Sequence, residues 1–368
     1  MSRAAWWRGI ADGSNNGLTS MVIKLLLAPS AFLYEMALRM RSLLHQGGLL
    51  ATRKLPCPVI SIGNITVGGT GKTPATILVA QALQKRGYRV AVLSRGYGGS
   101  LEGQVAVVSD GNSILLEPEQ AGDEPCLIAK SVPGVIVVIG ADRYQAGLLA
   151  LEHLKPELVL LDDGFQHIRL HRDLNILLLD ATRPFGNGWT LPLGMLREPV
   201  SAIQRADLVL FTRCQPGQIL PDPGLPYCCS GHRLSGFNYL KSGEELSLEK
   251  LQQGRVAAFA GIADPCAFFD GLRGLGIQLV ATLSLADHEP YSKEGMMALE
   301  QLATASTADW LLTTEKDGIK LLTYCKNWLD QVVTAKLELK LQDRGQLISD
   351  NLDKLLSSKG IVRHTPQL

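Results

Sequence analysis

From residue 56 onward, short apolar runs alternate with helical stretches, and this alternation restricts the fold more than any other feature of the chain. The runs are rich in Val, Ile and Leu without regular polar alternation, as is typical of strands buried on both faces of a parallel sheet. The predicted strands of the first half are Val59–Ile62, Val90–Leu93, Val135–Ile139, Leu158–Leu161, Asn175–Leu179 and Leu208–Phe211. Predicted helices lie between them, at Thr73–Arg86, Pro125–Ala129 and Ala141–Leu154. This order indicates an α/β fold.

A glycine-rich stretch, TVGGTGKTP, follows the first predicted strand at residues 66–74. It matches the phosphate-binding pattern G-x-x-x-x-G-K-[ST] except that Thr66 replaces the first glycine, which is tolerable if its φ is negative. Lys72 can reach the β- and γ-phosphates of a nucleotide, and the Thr73 hydroxyl can hold Mg²⁺. The predicted nucleotide-binding residues are Thr66, Val67, Gly68, Gly69, Thr70, Gly71, Lys72 and Thr73. A chance glycine-rich turn before a helix is the ordinary alternative.

Two acidic residues end the predicted strand Leu158–Leu161, in the sequence ELVLLDDG. An apolar strand that ends in a carboxylate is typical of the Walker B segment, whose acid binds or orders Mg²⁺ beside the phosphates. The predicted metal site therefore consists of Thr73, Asp162 and Asp163, with the division of labour between the two acids open. Alternatively, Asp163 only turns the chain before Gly164.

A passage rich in Pro, Gly and Cys, residues 215–231, interrupts the alternation, and we expect a domain boundary there. The pattern then restarts with predicted strands Arg255–Ala260, Ile277–Leu283 and Trp310–Thr313 and with predicted helices Cys266–Leu275 and Lys293–Ala305. The expected architecture is a P-loop kinase-like parallel sheet domain plus a second, smaller α/β domain, with an N-terminal amphipathic helix. Its four parts are an N-terminal interfacial helical segment (1–54), a P-loop nucleotide-binding domain (55–220), a smaller α/β domain (221–345) and a C-terminal tail (346–368).

Composition excludes several classes of protein. With 368 residues, of which 46% are hydrophobic and 19% charged, the chain is long enough for two domains with their own cores. The formal net charge of +1 gives no global attraction for nucleic acid, so none is expected as a partner. The 7 cysteines include no C-x-x-C pair, which favours a reducing cytosol over a disulfide framework or a zinc site.

The N-terminal segment predicts an amphipathic helix over residues 20–45. On a helical wheel its polar residues share one arc, and nearly all the others are apolar: the polar residues are Ser20, Lys24, Glu35, Arg39, Ser42 and His45. So broad an apolar face, with a basic bias, favours a helix in a membrane interface, in two pieces around Pro29. A helix docked on the protein's own core is the alternative. No secretory signal is recognisable, and no bilayer crossing is expected, because the longest uncharged stretch, Leu25–Tyr34, is far below about 20 residues.

Three further segments are candidates for chemistry, although each has an ordinary structural explanation. GDEP at 122–125 puts two acids in the first turn of a helix, where they could simply cap it. His288 lies on a polar loop and could be an ordinary exposed histidine. LPLGMLREP at 191–199 places Arg197 and Glu198 in an apolar loop that could be a packed connector.

Together these segments resemble one family, tetraacyldisaccharide 4′-kinase, the lipid A 4′-kinase of Gram-negative envelope synthesis. The resemblance covers residues 56–320, and its motifs occur in order along the chain. They are SIGNITVGGTGKTP (61–74), LSRGYGG (93–99), GDEP (122–125), GADR (140–143), DDGFQH (162–167), LPLGMLREP (191–199), GIADP (261–265), DH (287–288) followed by Tyr291, and TTEKD (313–317).

The resemblance implies transfer of the γ-phosphate of ATP to the 4′-hydroxyl of tetraacyldisaccharide 1-phosphate, which gives lipid IVA. ATP and Mg²⁺ are the implied cofactors, and Asp123 with His288 forms the implied catalytic base, assisted by Lys72. Arg143, Arg197 and Glu198 are the implied contacts to substrate or transferring phosphate. The implied location is peripheral, at the cytoplasmic face of the bacterial inner membrane, with the lipid substrate and the membrane surface as partners and no obligate protein partner.

A membrane-associated P-loop ATPase that works as a switch, without a small-molecule acceptor, is the alternative function. Such proteins normally carry a second lysine just before the double glycine, where this chain has Val67. They also need no second domain with a histidine. A soluble kinase of a small metabolite is a third possibility, but it leaves the wide apolar face of residues 20–45 without a purpose.

Overall fold

The computed structural model describes residues 7, 9–13, 17–286, 293–322, 324 and 327–361. The strands are β1 (Val59–Asn64), β2 (Val90–Ser94), β3 (Ala106–Asp110), β4 (Ile136–Ile139), β5 (Leu158–Asp162), β6 (Leu174–Asp180), β7 (Leu208–Thr212), β8 (Tyr227–Tyr239), β9 (Val256–Ala260), β10 (Leu279–Ser284), β11 (Trp310–Thr314) and β12 (Val332–Leu341). The α-helices are α1 (Leu18–Gln46), α2 (Lys72–Lys85), α3 (Pro118–Ala121), α4 (Asp123–Ser131), α5 (Arg143–Leu149), α6 (Leu248–Gln253), α7 (Pro265–Gly274), α8 (Lys293–Ala305), α9 (Glu315–Leu321) and α10 (Gln346–Ser358).

The chain forms two compact units, and each is assembled from segments that are distant in the sequence. The first unit contains Met1–Leu93, Asp142–Gly231 and Lys340–Leu368, and the second contains Ser94–Ala141 and His232–Leu339. The predicted division into 55–220 and 221–345 therefore differs from the structure in two places. The segment 94–141 belongs to the second unit, where its helix α4 contacts α9 through the Asp123–Lys320 and Glu124–Lys316 pairs, and the end of the chain returns to the first.

The first unit is organised around parallel strands. Their order is β8, β7, β6, β1, β5, β2, and each of these pairs is parallel. Strands β1, β2, β5 and β7 are buried along their whole length, as expected for apolar runs covered on both faces. One buried cluster includes Ile65, Phe165 and Leu196, so the segments that follow β1 and β5 share a core with the 191–199 segment. The α/β fold predicted from the sequence is confirmed.

The second unit has its own parallel strands in the order β10, β9, β11, β12. Strand β9, VAAFA, is buried throughout, and apolar clusters lie around it, one with Phe268 and Leu272 of α7 and the other with Phe259 and Leu299. These clusters give the unit an apolar core around β9. Helices and parallel strands alternate in it, as the sequence predicts for this half of the chain.

Strands β3, β8 and β12 were not predicted from the sequence. β8 reads YCCSGHRLSGFNY and is only partly buried. Its Ser, Gly and Arg residues are not typical of strands, so the sequence pattern does not reveal it. β12 reads VVTAKLELKL, and in its second half only Leu339 is buried, unlike the continuous apolar runs of strands such as β1 and β5. The sequence pattern that finds a fully buried strand does not find a half-exposed one.

Helix α1 is a single helix of 29 residues with Pro29 inside it. The prediction of two pieces was wrong, because the chain continues through a proline whose missing N–H removes only one hydrogen bond, and the Ser30 hydroxyl donates to the Leu27 carbonyl one turn away. Its apolar residues point mostly into solvent, and we call these the exposed face of α1: Leu18, Met21, Val22, Leu25, Leu26, Phe32, Leu33, Met36, Met40 and Leu43.

This exposure argues against one of the two sequence interpretations of α1, a helix docked on the protein's own core. Leu25 is 76% exposed and Leu33 is 66% exposed, so the apolar face is not docked on the protein's own core. Only 6% of the most apolar window of α1 is buried. The helix is also long and apolar enough to cross a membrane by length and composition, and the sequence argument against crossing was too strict on that point.

The segment predicted as a C-terminal tail contains helix α10. Its buried residues are Ile348, Leu352, Leu355 and Leu356, spaced along one face. Arg86, just after α2, contacts α10 through Asp353 at 3.1 Å, and Lys359 lies 2.6 Å from Asp173. Helix α10 is therefore an integral part of the first unit.

Candidate functional site

A glycine-rich loop connects β1 to α2 in the first unit, and its backbone is shaped for close approach of a ligand. Gly71 immediately precedes α2 in the left-handed conformation at φ 81°, and Gly68 also has a positive φ, 113°. Glycine adopts this region without the strain that a Cβ atom brings. The first turn of α2 contains no acidic residue, so its free N–H groups and positive helix end can attract an anion.

Residues at the carboxyl end of β7 hold the carbonyl groups of this loop. The Thr212 hydroxyl donates to the Thr70 carbonyl at 3.0 Å, and Arg213 Nη2 donates to the Gly69 carbonyl at 3.0 Å. Arg213 is itself held by Asp180, at 2.9 Å. Because the C=O and N–H of a trans peptide point in opposite directions, the N–H of Gly71 is turned away from Thr212.

Sequence reasoning missed Thr212, Arg213 and Asp180 as parts of this site. The available signal was their position, since each is at or next to the end of a predicted parallel strand. Ligands of open parallel sheets bind beyond those strand ends.

The 191–199 segment lies along the beginning of the loop. The Val67 N–H donates to the Met195 carbonyl at 2.8 Å, and the Arg197 N–H donates to the Ile65 carbonyl at 2.7 Å. Thr66 pairs with Leu196 in an antiparallel bridge, and it is not among the described non-glycine residues with positive φ. The condition under which Thr66 can replace the usual glycine is therefore met. The predicted role of Val67 needs correction, because its N–H is already bonded and cannot donate to a phosphate.

Lys72 and Arg197 both face the carboxylate of Asp163. Lys72 Nζ lies 3.9 Å from Asp163 Oδ1, and Arg197 Nη1 donates to Oδ2 at 2.8 Å. Burial would raise the pKa of Asp163, but the positive charges of Lys72 and Arg197 outweigh it and the pKa is lowered. Asp163 also has a left-handed backbone, at φ 51°, which a non-glycine residue adopts rarely. Asp163 is thus a carboxylate held ionised among cationic groups.

The neighbouring acid, Asp162, has a different environment. The Asp162 side chain accepts a hydrogen bond from the Thr76 hydroxyl at 2.9 Å, and Asp162 is only 2% exposed. The Oδ1 atom of Asp163, in contrast, is buried without a hydrogen-bond partner among the described residues. A buried carboxylate oxygen of this kind next to a helix start that carries a threonine hydroxyl fits a hard divalent cation.

The three predicted substrate contacts, Arg143, Arg197 and Glu198, have different neighbours in the structure. Arg143 is 4% exposed, with Nη2 at 3.5 Å from the Asp162 carbonyl oxygen. Arg197 lies at the Asp163 carboxylate, as described above. Glu198 is also 4% exposed and pairs with Arg205 at 2.5 Å, while the Arg205 guanidinium stacks 4.8 Å from the centre of the Phe165 ring. The burial and pairing of Glu198 favour a supporting role over direct contact with a lipid.

Asp123 begins helix α4 in the second unit. Gly122 precedes it at φ 89°, and a Cβ atom there would lie 2.6 Å from the Tyr97 carbonyl oxygen, so only glycine fits. Lysines of α9 face both acids of the first turn: Lys320 Nζ lies 3.1 Å from Asp123 Oδ2, and Lys316 Nζ lies 3.5 Å from Glu124 Oε1. His288, the predicted partner of Asp123, lies outside the described residues.

Asp317 is a third acid near these lysines, and it is buried. It lies 3.9 Å from Lys320 Nζ, and it accepts hydrogen bonds from the Gly261 N–H at 2.9 Å and the Thr314 hydroxyl at 2.8 Å. Burial raises the pKa of Asp317, although these partners oppose the shift. Lys320 thus lies near two carboxylates, those of Asp123 and Asp317. Apart from the TTEKD motif, nothing in the sequence predicts this arrangement.

Comparisons with known proteins agree with the geometry. The family profile described as tetraacyldisaccharide-1-P 4′-kinase matches residues 23–357. A tetraacyldisaccharide 4′-kinase from Pelobacter propionicus is 50% identical over 357 residues, which cover 96% of this chain and 99% of that protein. One from Geobacter sulfurreducens is 49% identical over 357 residues, covering 97% and 100% of the two chains.

The fold is also similar to a solved structure. The crystal structure of LpxK from Aquifex aeolicus in complex with ATP matches with a TM-score of 0.76 at 37% sequence identity. The match covers 91% of this chain and 99% of that one.

Proposed function

This chain belongs to the tetraacyldisaccharide-1-phosphate 4′-kinase family, and we infer that it transfers the γ-phosphate of ATP to the 4′-hydroxyl of tetraacyldisaccharide 1-phosphate, forming lipid IVA in lipid A biosynthesis. The observation that carries this function is the start of α2, where Lys72 and Thr73 follow a loop whose carbonyl groups are anchored by Thr212 and Arg213. An ATPase switch without an acceptor has no support from the relatives, which are named as kinases of one lipid.

The phosphate loop supplies electrostatic stabilisation. The N–H groups at the start of α2, together with the Lys72 ammonium, bind the β- and γ-phosphates and stabilise the charge that spreads over the transferring group. Anchoring the Gly69 and Thr70 carbonyl groups also fixes the N–H groups of the same peptide units. Donors that are already in place need no reorganisation during the reaction. Arg197 and Arg143 are the further groups that we assign to phosphate or substrate, since a guanidinium donates two parallel hydrogen bonds.

Thr73, Asp162 and Asp163 would hold Mg²⁺, with the unbonded Oδ1 of Asp163 as the carboxylate ligand and Asp162 as the residue that orients Thr76 and the helix start. The metal, when bound, neutralises charge on the β- and γ-phosphates. Asp163→Asn should therefore raise the Mg²⁺ concentration needed for half-maximal rate more than Asp162→Asn does. Equal effects of the two changes would assign the metal to both acids.

Asp123 acts with His288 as the base that accepts the proton of the 4′-hydroxyl. A sugar hydroxyl is a weak nucleophile, so proton removal by a positioned base raises its reactivity. The contacts of Asp123 with Lys320 keep this carboxylate oriented. Glu198 holds Arg205 against Phe165 and so supports the core beneath the Asp163 segment.

The exposed face of α1 enters the lipid interface at the cytoplasmic side of the inner membrane. Four acyl chains keep the substrate in the bilayer, so the enzyme has to reach the substrate there. A chain without residues 1–45 should sediment less with vesicles, and so should the full chain with Leu25→Glu and Leu33→Glu, which leaves all of α1 in place. Unchanged sedimentation of both variants would remove the interfacial role.

The function is tested with purified protein, γ-labelled Mg-ATP and tetraacyldisaccharide 1-phosphate in detergent. The expected result is a labelled lipid product that depends on the acceptor and forms about 100-fold more slowly in the Lys72→Met variant. ATP hydrolysis that bare vesicles stimulate, without any labelled lipid, would replace the kinase with the switch.

A further inference from the structure

Helix α1 is linked to the rest of the first unit by polar contacts. One of them ends on Arg197, which pairs with Asp163, and another ends on Gln166, which contacts the end of β1. Tyr34 and Arg41 both donate to backbone carbonyl groups, of Arg197 and Gln166 respectively. A separate contact fixes the middle of the helix, where the buried Thr190 hydroxyl donates to the Ala31 carbonyl at 3.2 Å. The chemistry described above uses neither Tyr34 nor Arg41.

The first path leads from Tyr34 to the Asp163 carboxylate. The Tyr34 hydroxyl donates to the Arg197 carbonyl over 3.1 Å. The side chain of the same arginine donates to Asp163 Oδ2 at 2.8 Å, and Lys72 Nζ lies 3.9 Å from the other oxygen. The position of the Arg197 backbone therefore affects the group that Lys72 faces.

The second path leads from Arg41 to the middle of the phosphate loop. Arg41 Nη2 donates to the Gln166 carbonyl at 2.9 Å. Gln166 Nε2 in turn donates to the Asn64 carbonyl at 2.7 Å, and Asn64 Nδ2 donates to the Thr70 hydroxyl at 2.8 Å. Three successive hydrogen bonds thus connect the helix with the loop that binds the phosphates.

We propose that Tyr34 and Arg41 are positioning residues that make nucleotide affinity depend on whether α1 is seated in a lipid surface. The proposal rests on the proposed function, in which the exposed face of α1 enters the interface. Two hydrogen-bond paths from one helix, ending on Asp163 and on Thr70, provide the physical link.

The coupling follows from the ordering of the site. A lipid surface restrains α1 along its apolar face, and the two hydrogen bonds pass this restraint to the carbonyl groups of Arg197 and Gln166. A nucleotide then binds to a loop that is already restrained, so less ordering opposes its binding. Because coupling between two ligands is reciprocal, bound nucleotide must strengthen attachment to the lipid surface by the same factor.

The test measures the dissociation constant of a fluorescent ATP analogue with Mg²⁺, for the full chain with and without vesicles of phosphatidylethanolamine and phosphatidylglycerol. We expect vesicles to tighten binding by the wild-type chain about threefold to tenfold, the range that one or two hydrogen bonds supply. Tyr34→Phe and Arg41→Met should abolish this gain while they still sediment with vesicles. Arg41→Lys, which keeps a donor, should restore part of it.

Matched controls come from the same helix. Arg39→Met removes the same charge, but among the described residues the ion-pair partner of Arg39 is Glu35 of the same helix, at 2.5 Å. Ser30→Ala removes a hydroxyl whose bond also stays within the helix, to the Leu27 carbonyl. Both controls should keep the vesicle-dependent gain, and nucleotide should strengthen vesicle sedimentation of the wild type and the controls but not of Tyr34→Phe.

The proposal is overturned if vesicles leave the wild-type dissociation constant unchanged, if Tyr34→Phe and Arg41→Met keep the gain, or if Arg39→Met loses it as fully as Arg41→Met. The binding assay contains no acceptor lipid, so its outcome is independent of the kinase reaction. Failure of the proposed function appears separately, as missing lipid product in the labelling assay.

Discussion

Helices α2 and α4 both start after a glycine with positive φ, Gly71 at 81° and Gly122 at 89°, yet the two starts have opposite electrostatic character. The first turn of α2 brings Lys72 and no acid. The first turn of α4 brings Asp123 and Glu124, each facing a lysine of α9. Both starts have the same positive helix end.

The difference shows what makes a helix start into a phosphate site. At α4 the helix end is already compensated by the protein's own carboxylates, so an additional anion would meet repulsion. At α2 the positive end and Lys72 are left for a ligand, and the nearby carboxylate, Asp163, is itself balanced by Arg197. A glycine turn before a helix is therefore insufficient, and the charges of the first turn decide between binding a phosphate and orienting an acid.

The largest effect should come from a substitution of Asp123, at the start of α4. Asp123→Asn is expected to lower kcat by about 10³-fold, because a positioned base contributes roughly 10² to 10⁴ in rate, and to leave the dissociation constant of Mg-ATP unchanged. Steady-state kinetics and nucleotide titration check this. Glu124→Gln is the matched control, since it removes the neighbouring acid with its own lysine, and it should cost less than about threefold. His288→Ala should resemble Asp123→Asn. Equal losses of turnover and nucleotide affinity would end the assignment of Asp123 as base.

The cationic start should show the next largest effect. Lys72→Met is expected to lower kcat/KM by about 10²-fold, the usual result of removing one preorganised electrostatic group. Lys85→Met removes an exposed lysine from the other end of the same helix, and its rate should stay near the wild-type value. If both lysines mattered equally, the local charge of the first turn would not explain the contrast.

A smaller effect is expected at the anchor of the phosphate loop. Arg213→Met removes the donor to the Gly69 carbonyl and the partner of Asp180, so the dissociation constant of ATP should rise about tenfold, as for loss of a charged hydrogen bond. The turnover of the saturated enzyme should change much less. Arg183→Met is the control, because Arg183 likewise lies beyond the end of a parallel strand, β6, but its side chain pairs with Asp12 instead. A change in kcat alone would contradict an anchoring role.

The smallest expected effect is on the pH dependence of the free energy of unfolding. Burial and the Arg143 charge lower the pKa of His167 to about 4, from its ordinary value of 6.5. Between those values the unfolded chain takes up a proton that the folded chain does not, so the free energy of unfolding falls as pH decreases through this window. The slope is at most about 1.4 kcal/mol per pH unit.

His167→Gln should flatten this dependence between pH 6.5 and 4, measured by urea unfolding at a series of pH values. In the second unit, burial likewise disfavours the charged form of a side chain, since it raises the pKa of Asp317. Superimposable pH profiles of the wild type and His167→Gln would show that this histidine does not report the cationic surroundings of the phosphate loop.

Most of the fold could be predicted from the sequence, because strands such as β1, β5 and β7 are short apolar runs that only a covered parallel sheet can bury. The phosphate loop could be predicted for a similar reason, since its glycines, Lys72 and Thr73 act through local backbone geometry. The half-exposed strand β12 and helix α10 lacked such a pattern, and the interleaving of the two units depends on pairings between distant segments.

The supporting contacts of the site could not be predicted. Arg213 meets Gly69, and Lys320 meets Asp123, only through the tertiary fold, with about 140 and 200 residues between the partners. The continuity of α1 through Pro29 was missed because proline propensity is a local average that a long helix can override. Local chemistry is thus readable from the chain, whereas the groups that position it are brought together by folding.

The return of residues 340–361 to the first unit has a consequence for biosynthesis. During translation these residues emerge after every segment of the second unit, although α10 covers part of the unit that holds the phosphate loop. The ribosome therefore completes the acid-bearing unit before the nucleotide-binding one, and a nascent chain stalled before residue 340 has an unfinished ATP-binding half.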